Sequence, residues 1–204
     1  GTVTLTVLGA GSALITGNTD DDIASGSGAI SITADTLTLA ANATIASSGA
    51  LTLQPNASGV AIGLGDGASG AFNLTATELG LLTDGFSSIT IGKTNSGAVD
   101  INAFTFLDPV TIQGGAMALT SLEAGSNNIT LTSTSTIDEA ADNTTVDITT
   151  SGTLALTAQG AIGSAGGGSN PLDLTVGTLQ ATTSNGGIFL LESSALTIGG
   201  SGVQ

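Results

Sequence analysis

Residues 59–114 read GVAIGLGDGASGAFNLTATELGLLTDGFSSITIGKTNSGAVDINAFTFLDPVTIQG. Five short phrases in this stretch share one form: Val60-Ala61-Ile62, Phe72-Asn73-Leu74, Ile89-Thr90-Ile91, Val99-Asp100-Ile101 and Val110-Thr111-Ile112. Each sets a small or polar residue between two apolar ones, so in an extended chain both apolar side chains face one way. Gly, Thr or Asn follows each phrase or lies within a few residues of it, where the chain can turn. Four of the five Phe residues of the chain also fall here, which makes it the least generic part of the sequence.

The same unit recurs outside this stretch. On the N-terminal side it reads Val3-Thr4-Leu5, Ile30-Ser31-Ile32, Leu37-Thr38-Leu39 and Leu51-Thr52-Leu53. On the C-terminal side it reads Ile129-Thr130-Leu131, Val146-Asp147-Ile148, Leu154-Ala155-Leu156, Leu172-Asp173-Leu174, Ile188-Phe189-Leu190 and Leu196-Thr197-Ile198. Ile30, Leu51 and Phe72 are 21 residues apart, as are Ile89 and Val110, and later spacings drift between 16 and 19. A loose period near 20 with two or three short strands per repeat predicts a β-solenoid, in which each strand pairs with its equivalents one turn above and below. The expected fold is therefore all-β, a parallel β-helix of about ten coils and roughly 50 Å long. It spans residues 1–204 as a single segment, either part of a longer repetitive chain or the unit of a stacking filament. A β-sandwich also uses short alternating strands. Its core, however, needs larger side chains than Ala, Thr and Leu to fill about 10 Å between sheets.

One segment breaks the β rhythm. Thr77-Glu78-Leu79-Gly80-Leu81-Leu82-Thr83-Asp84-Gly85-Phe86 predicts a short non-β insertion near 77–87, a single helical turn or folded loop on the outside of a coil with Phe86 against the body.

Composition excludes several function classes. The formal net charge is −15, and Lys93 is the one basic residue. Nucleic-acid binding, which needs Lys and Arg to displace counterions, is not expected. Neither is an electrostatic grip on anionic lipid. No run of 18 apolar residues offers a bilayer-spanning helix, so direct membrane insertion is not expected. With 40% hydrophobic and 8% charged residues, the chain lacks the signature of intrinsic disorder. Cys, His, Trp and Tyr are all absent. That removes Ser-His-Asp and Cys-His catalysis, His or Cys ligation of zinc, and the aromatic platforms that hold sugars. The chain is read as a non-enzyme without a cofactor.

Acidic residues provide the candidate sites. Asp20, Asp21 and Asp22 form a run of carboxylates of the kind that hard cations take, and Asp66 lies in Gly63-Leu64-Gly65-Asp66-Gly67, a single copy of a Gly-rich pattern. These four are the candidate calcium ligands, and solvated surface charge is the competing reading. Asp138, Glu139 and Asp142 form a third acidic cluster with the same ambiguity. Asp100, Asp147 and Asp173 sit between core-facing neighbours and are expected to face solvent as an acidic stripe that discourages lateral sheet association. The GxGxxG match at Gly65–Gly70 lacks a following helix and carries no dinucleotide reading. Asn42, Asn56, Asn73, Asn128 and Asn143 head Asn-x-Ser/Thr triplets and suit coil corners, where Asn tolerates the left-handed conformation.

Phe72-Asn73-Leu74-Thr75, Glu78-Leu79, and Gly85-Phe86 leading into Ser88-Ile89-Thr90-Ile91-Gly92 resemble the repeats of filamentous-haemagglutinin-like surface proteins. So do Val99-Asp100-Ile101 and Phe106-Leu107-Asp108-Pro109-Val110-Thr111-Ile112. The resemblance is specific over about 59–114 and one of style elsewhere. It implies a right-handed parallel β-helix like the shafts of two-partner-secretion adhesins and autotransporter passengers. It also implies an extracellular or bacterial cell-surface location and a structural role as a shaft, fibre or matrix component. The alternative is an adhesin module that binds a host or cell-surface receptor or a glycan through surface loops, 77–87 first among them. Both ends read as uncapped strand, so self-association or neighbouring repeats end to end are the expected partners.

Overall fold

A computed structural model describes residues 1–17, 22–164 and 170–204. It is a β-solenoid. Its first turns hold β1 (Val3–Thr6), β2 (Ala13–Ile15), β3 (Ile23–Ser25), β4 (Ile30–Thr33), β5 (Thr36–Thr38) and β6 (Ile45–Ser47). The third turn comprises β7 (Ala50–Gln54), β8 (Ile62–Leu64), β9 (Phe72–Leu74) and the single-turn helix α1 (Ala76–Leu79). Above it come β10 (Ser88–Gly92), β11 (Val99–Ile101), β12 (Phe104–Thr105), β13 (Val110–Gly114), β14 (Met117–Leu119) and β15 (Leu122–Glu123). The last turns carry β16 (Ile129–Ser133), β17 (Ile137–Glu139), β18 (Ile148–Ala158), β19 (Leu172–Thr183), β20 (Leu190–Glu192) and β21 (Thr197–Val203).

These strands form three walls, and every strand-to-strand ladder is parallel. Wall one stacks β1, β4, β7, β10, β13, β16, the later halves of β18 and β19, and β21. Wall two stacks β2 on β5, then β9, β8, β11, β14 and β17, and continues through bridges from Ile137 to Ile162 to Ile188. Wall three runs from β3 and β6 through a bridge between Ile45 and Leu82, and higher up through β12, β15, the early halves of β18 and β19, and β20. β18 and β19 are long because each rounds the corner from wall three to wall one, with a shift in register between Thr150 and Thr153.

The apolar-x-apolar unit works as its alternation requires. In wall one Ile30, Leu51, Ile89, Val110, Ile129 and Leu154 occupy one seat in successive turns, and all are buried. Residues between the apolar pair, such as Thr52, Thr90 and Thr111, point outward and are half-buried beside their neighbours. Each aliphatic side chain so enclosed contributes about 1.5–3 kcal/mol relative to exposure.

The turns are unequal, and this corrects the expected count. Counting from Val3 to Ile198, the wall-one seat returns after 19 to 27 residues, except that Leu51 to Ile89 takes 38. Nine wall-one strands thus give eight turns rather than about ten. Phe72 does not continue the 21-residue series of Ile30 and Leu51. It pairs with Ile62 on wall two, because the chain crosses that wall twice in one turn, first as β8 and then as β9. Gly65–Gly70 carries the return, with Gly65 (φ 92°) and Gly67 (φ 78°) in the left-handed region that favours glycine.

The predicted insertion near 77–87 begins earlier and lies deeper than expected. Thr75 caps α1 in a reciprocal capping box: Glu78 N donates to Thr75 Oγ1 at 3.2 Å and Thr75 N donates to Glu78 Oε2 at 3.0 Å. Glu78 Oε1 also accepts from Leu39 N in the turn below at 3.0 Å. Leu79, Leu82 and Phe86 are all buried, so this segment builds wall three instead of riding outside the coil. Among the described residues no non-glycine residue has positive φ, so the corner asparagines do not take the left-handed conformation expected of them. Among the same residues, no helix is long and apolar enough to cross a membrane.

Candidate cation site

Three carboxylates converge at the corner between walls two and three. Glu139 ends β17, where it pairs in register with Leu119; the same seat holds Leu64 and Ile101 in the strands below. The Ala140 amide donates to Leu119 O at 2.7 Å, which keeps the chain in the ladder as far as Glu139. After residues 140–146 the chain re-enters wall three at Asp147, immediately before β18. There Leu122 N donates to Asp147 O at 2.7 Å, and Asp147 N donates to Asp173 O at 2.8 Å. Asp173 is the second residue of β19, and its amide donates back to Asp147 Oδ2 at 2.9 Å.

One ligand oxygen from each of Glu139, Asp147 and Asp173 lies within 4.8 Å of the other two. The side chains are 6%, 1% and 5% exposed, respectively. Both oxygens of Glu139, Oδ1 of Asp147 and Oδ1 of Asp173 are buried with no hydrogen-bond partner among the described residues. Burial pushes all three groups above the usual carboxylate range. Asp147 is pushed up to about 7, chiefly by burial and further by the charges of Glu139, Asp173 and Asp138, against the pull of the Asp173 amide. For Glu139 the nearby Asn143 amide opposes burial without completing a hydrogen bond, and Asp173, Asp142 and Asp138 add repulsion. Asp138, half-buried beside them, is also raised by burial, against the Glu139 amide that its Oδ1 accepts at 3.1 Å.

Three oxygen-only donors of like charge suit a hard cation and offer nothing to a soft one. The single basic side chain cannot serve as their counter-ion, because Lys93 Nζ donates to Asn56 O at 2.8 Å, several turns below.

These positions depart from the acidic stripe that strand alternation predicts. Asp147 and Asp173 were expected on a solvent-facing stripe with Asp100. Only Asp100 lies outward, where its Oδ2 accepts from Ser69 N at 2.8 Å and Ser69 Oγ at 2.9 Å. Asp147 and Asp173 are buried, because alternation fixes which side of the strand a residue leaves and not what covers that side. The acidic cluster Asp138, Glu139 and Asp142 divides as well: Glu139 is buried and Asp142 is exposed. What joins Glu139 to the two aspartates is the corner between two walls of one turn and the register of the next turn on it, and no local spacing carries that.

Of the four candidate calcium ligands, Asp20 and Asp21 lie outside the described residues. Asp22 is exposed, and its Oδ1 accepts from Thr44 N at 3.0 Å and Thr44 Oγ1 at 2.6 Å, bonds that lower its pKa. Asp66 is exposed, and its Oδ1 accepts from Ala76 N at 2.9 Å at the start of α1. Neither joins a group of three candidate ligands among the described residues.

No family model, curated protein or solved structure matches the chain.

Proposed function

We propose that this chain is a structural shaft, a β-solenoid spacer or fibre segment of an exported bacterial surface or extracellular-matrix protein. The observation that supports it most is the unbroken wall-one ladder from β1 to β21, built on one continuous aliphatic core. In such a stack each turn contacts only its neighbours, so length is added without changing the design. The resemblance of residues 59–114 to filamentous-haemagglutinin-like repeats and the acidic, lysine-poor surface agree with a shaft outside the cell.

The same reading extends to assembly. Among the described residues β1 pairs with β4 and β21 with β19, which leaves the far edge of each for a neighbour, a further turn of a longer chain or a second copy. Leu8 and Ile15 near one end, and Leu191, Ile198 and Val203 near the other, are exposed. Open parallel edges flanked by apolar side chains suit head-to-tail stacking of copies.

Electron microscopy of the purified 204-residue protein tests both statements. Filaments with an axial repeat of roughly 43 Å, nine steps of about 4.8 Å counting the one between copies, are the expected result. Separate rods of that length would overturn head-to-tail stacking and leave the spacer role. Compact particles would overturn the shaft itself.

A further inference from the structure

We propose that Glu139, Asp147 and Asp173 form a binding site for a hard divalent cation of calcium's size, buried at the corner between walls two and three and clamping two successive turns together. Two observations carry it independently. The first is convergence: ligand oxygens from two successive turns and two walls lie within 4.8 Å of one another. Two oxygens bound to one Ca²⁺ at about 2.3–2.6 Å can be at most about 5 Å apart, so the cluster has the span one ion requires. The second is the lack of partners. Four carboxylate oxygens of side chains more than nine-tenths buried accept no hydrogen bond from the described residues, although buried polar atoms are otherwise nearly always satisfied.

The register strengthens the case. Glu139 stands in a seat that Leu64, Ile101 and Leu119 fill with aliphatic side chains, so packing alone gives no reason for a carboxylate there. A cation supplies one. It neutralises like charges that no basic side chain of this chain reaches, and it links β17, the start of β18 and β19 at a point where 140–146 interrupts the regular coil. Water and backbone carbonyls complete the shell of such an ion. This site stands apart from the shaft reading and does not depend on it.

Calorimetric titration of the chelator-treated 204-residue protein with CaCl₂, beside thermal melts with and without calcium, tests the site. One calcium ion per chain is expected, with a higher melting temperature when bound. Asp147→Asn keeps an acceptor for the Asp173 amide and removes a buried charge, so the variant folds. It binds calcium at least about tenfold more weakly, as a lost ligand charge requires. Glu139→Gln gives the same loss from a different strand, whereas Asp22→Asn and Asp66→Asn leave the affinity of this site unchanged. Absence of binding at millimolar calcium in the folded wild type overturns the proposal. So does calcium affinity retained in both Asp147→Asn and Glu139→Gln.

Discussion

Glu139 pairs in register with Leu119 of the turn below, so a carboxylate holds a seat that is aliphatic in the strands beneath it. In metal-free protein this is an unfavourable arrangement, because burial without partners penalises the charged form. Glu139→Leu therefore continues the ladder and removes the penalty. In chelator at neutral pH it is expected to stabilise the protein by about 1–3 kcal/mol, read from denaturant midpoints. A lower midpoint in chelator would show that the carboxylate is satisfied by something other than a cation.

Asp35 makes the opposite electrostatic contribution. Its buried carboxylate spans three turns, with Oδ2 accepting from Gly11 N at 2.9 Å and Oδ1 from Ala57 N at 2.6 Å. The Ala57 amide, helped by those of Gly11, Asn56 and Ser12, outweighs burial and lowers its pKa. A group with a lowered folded pKa stabilises above its unfolded value near 3.8 and loses that contribution as pH falls through the folded value. Asp35→Asn should thus melt several degrees below wild type at pH 7, and the gap should close in acid below the ordinary aspartate range. A gap independent of pH would assign the loss to packing.

Core truncation should be felt locally. Leu131 is fully buried between Ile112 and Leu156. Leu131→Ala is expected to destabilise by about 2–5 kcal/mol. Hydrogen exchange should quicken most in β13, β16 and β18 and least in β1, because coupling in a stacked repeat runs through nearest neighbours. The outward-facing Thr111→Ala should change stability by no more than about 0.5 kcal/mol.

Backbone approach at the corner entering wall one sets another limit. A Cβ built on Gly177 would lie 2.3 Å from Ser151 O of the turn below. Gly177→Ala must therefore push two turns apart, and a clear fall in melting temperature is expected. The control is Gly59→Asn, where a Cβ meets nothing within 4 Å and the φ of 74° is one that Asn tolerates best among non-glycine residues. Equal losses in the two variants would shift the cause from the close approach to general loss of glycine.

Much of this architecture was legible because the inward pair of each apolar-x-apolar unit is a local signal. Ile30 and Leu51 share a seat in the fold, as do Ile89 and Val110, as their spacing of 21 residues implied. The third turn was not legible, since Phe72-Asn73-Leu74 has the same pattern whether it continues wall one or doubles wall two. The Thr75–Glu78 capping box was a usable signal for the start of α1, three residues apart as such pairs are. The burial of Asp147 and Asp173 left no trace in their own phrases. Glu139 did leave one: in Ile137-Asp138-Glu139 an acid takes the place of the second apolar residue of the unit, at the same seat as Leu119.

The doubled crossing in the third turn has a geometric consequence for the whole stack. Between β4 and β10, wall one holds the single strand β7, whereas between β5 and β11 wall two holds both β9 and β8. One side of the column therefore contains a layer, about 4.8 Å thick, that stops inside the structure and never reaches the other side. A crystallographer would call such a terminated half-plane an edge dislocation. Uniform layers can slide past one another by a full repeat and find the same environment again. A stack with a dislocation cannot, because the extra layer has one address. Residues 62–82 thereby pin the phase of every turn above and below them, and a sequence of near-identical rungs acquires a single way to be counted.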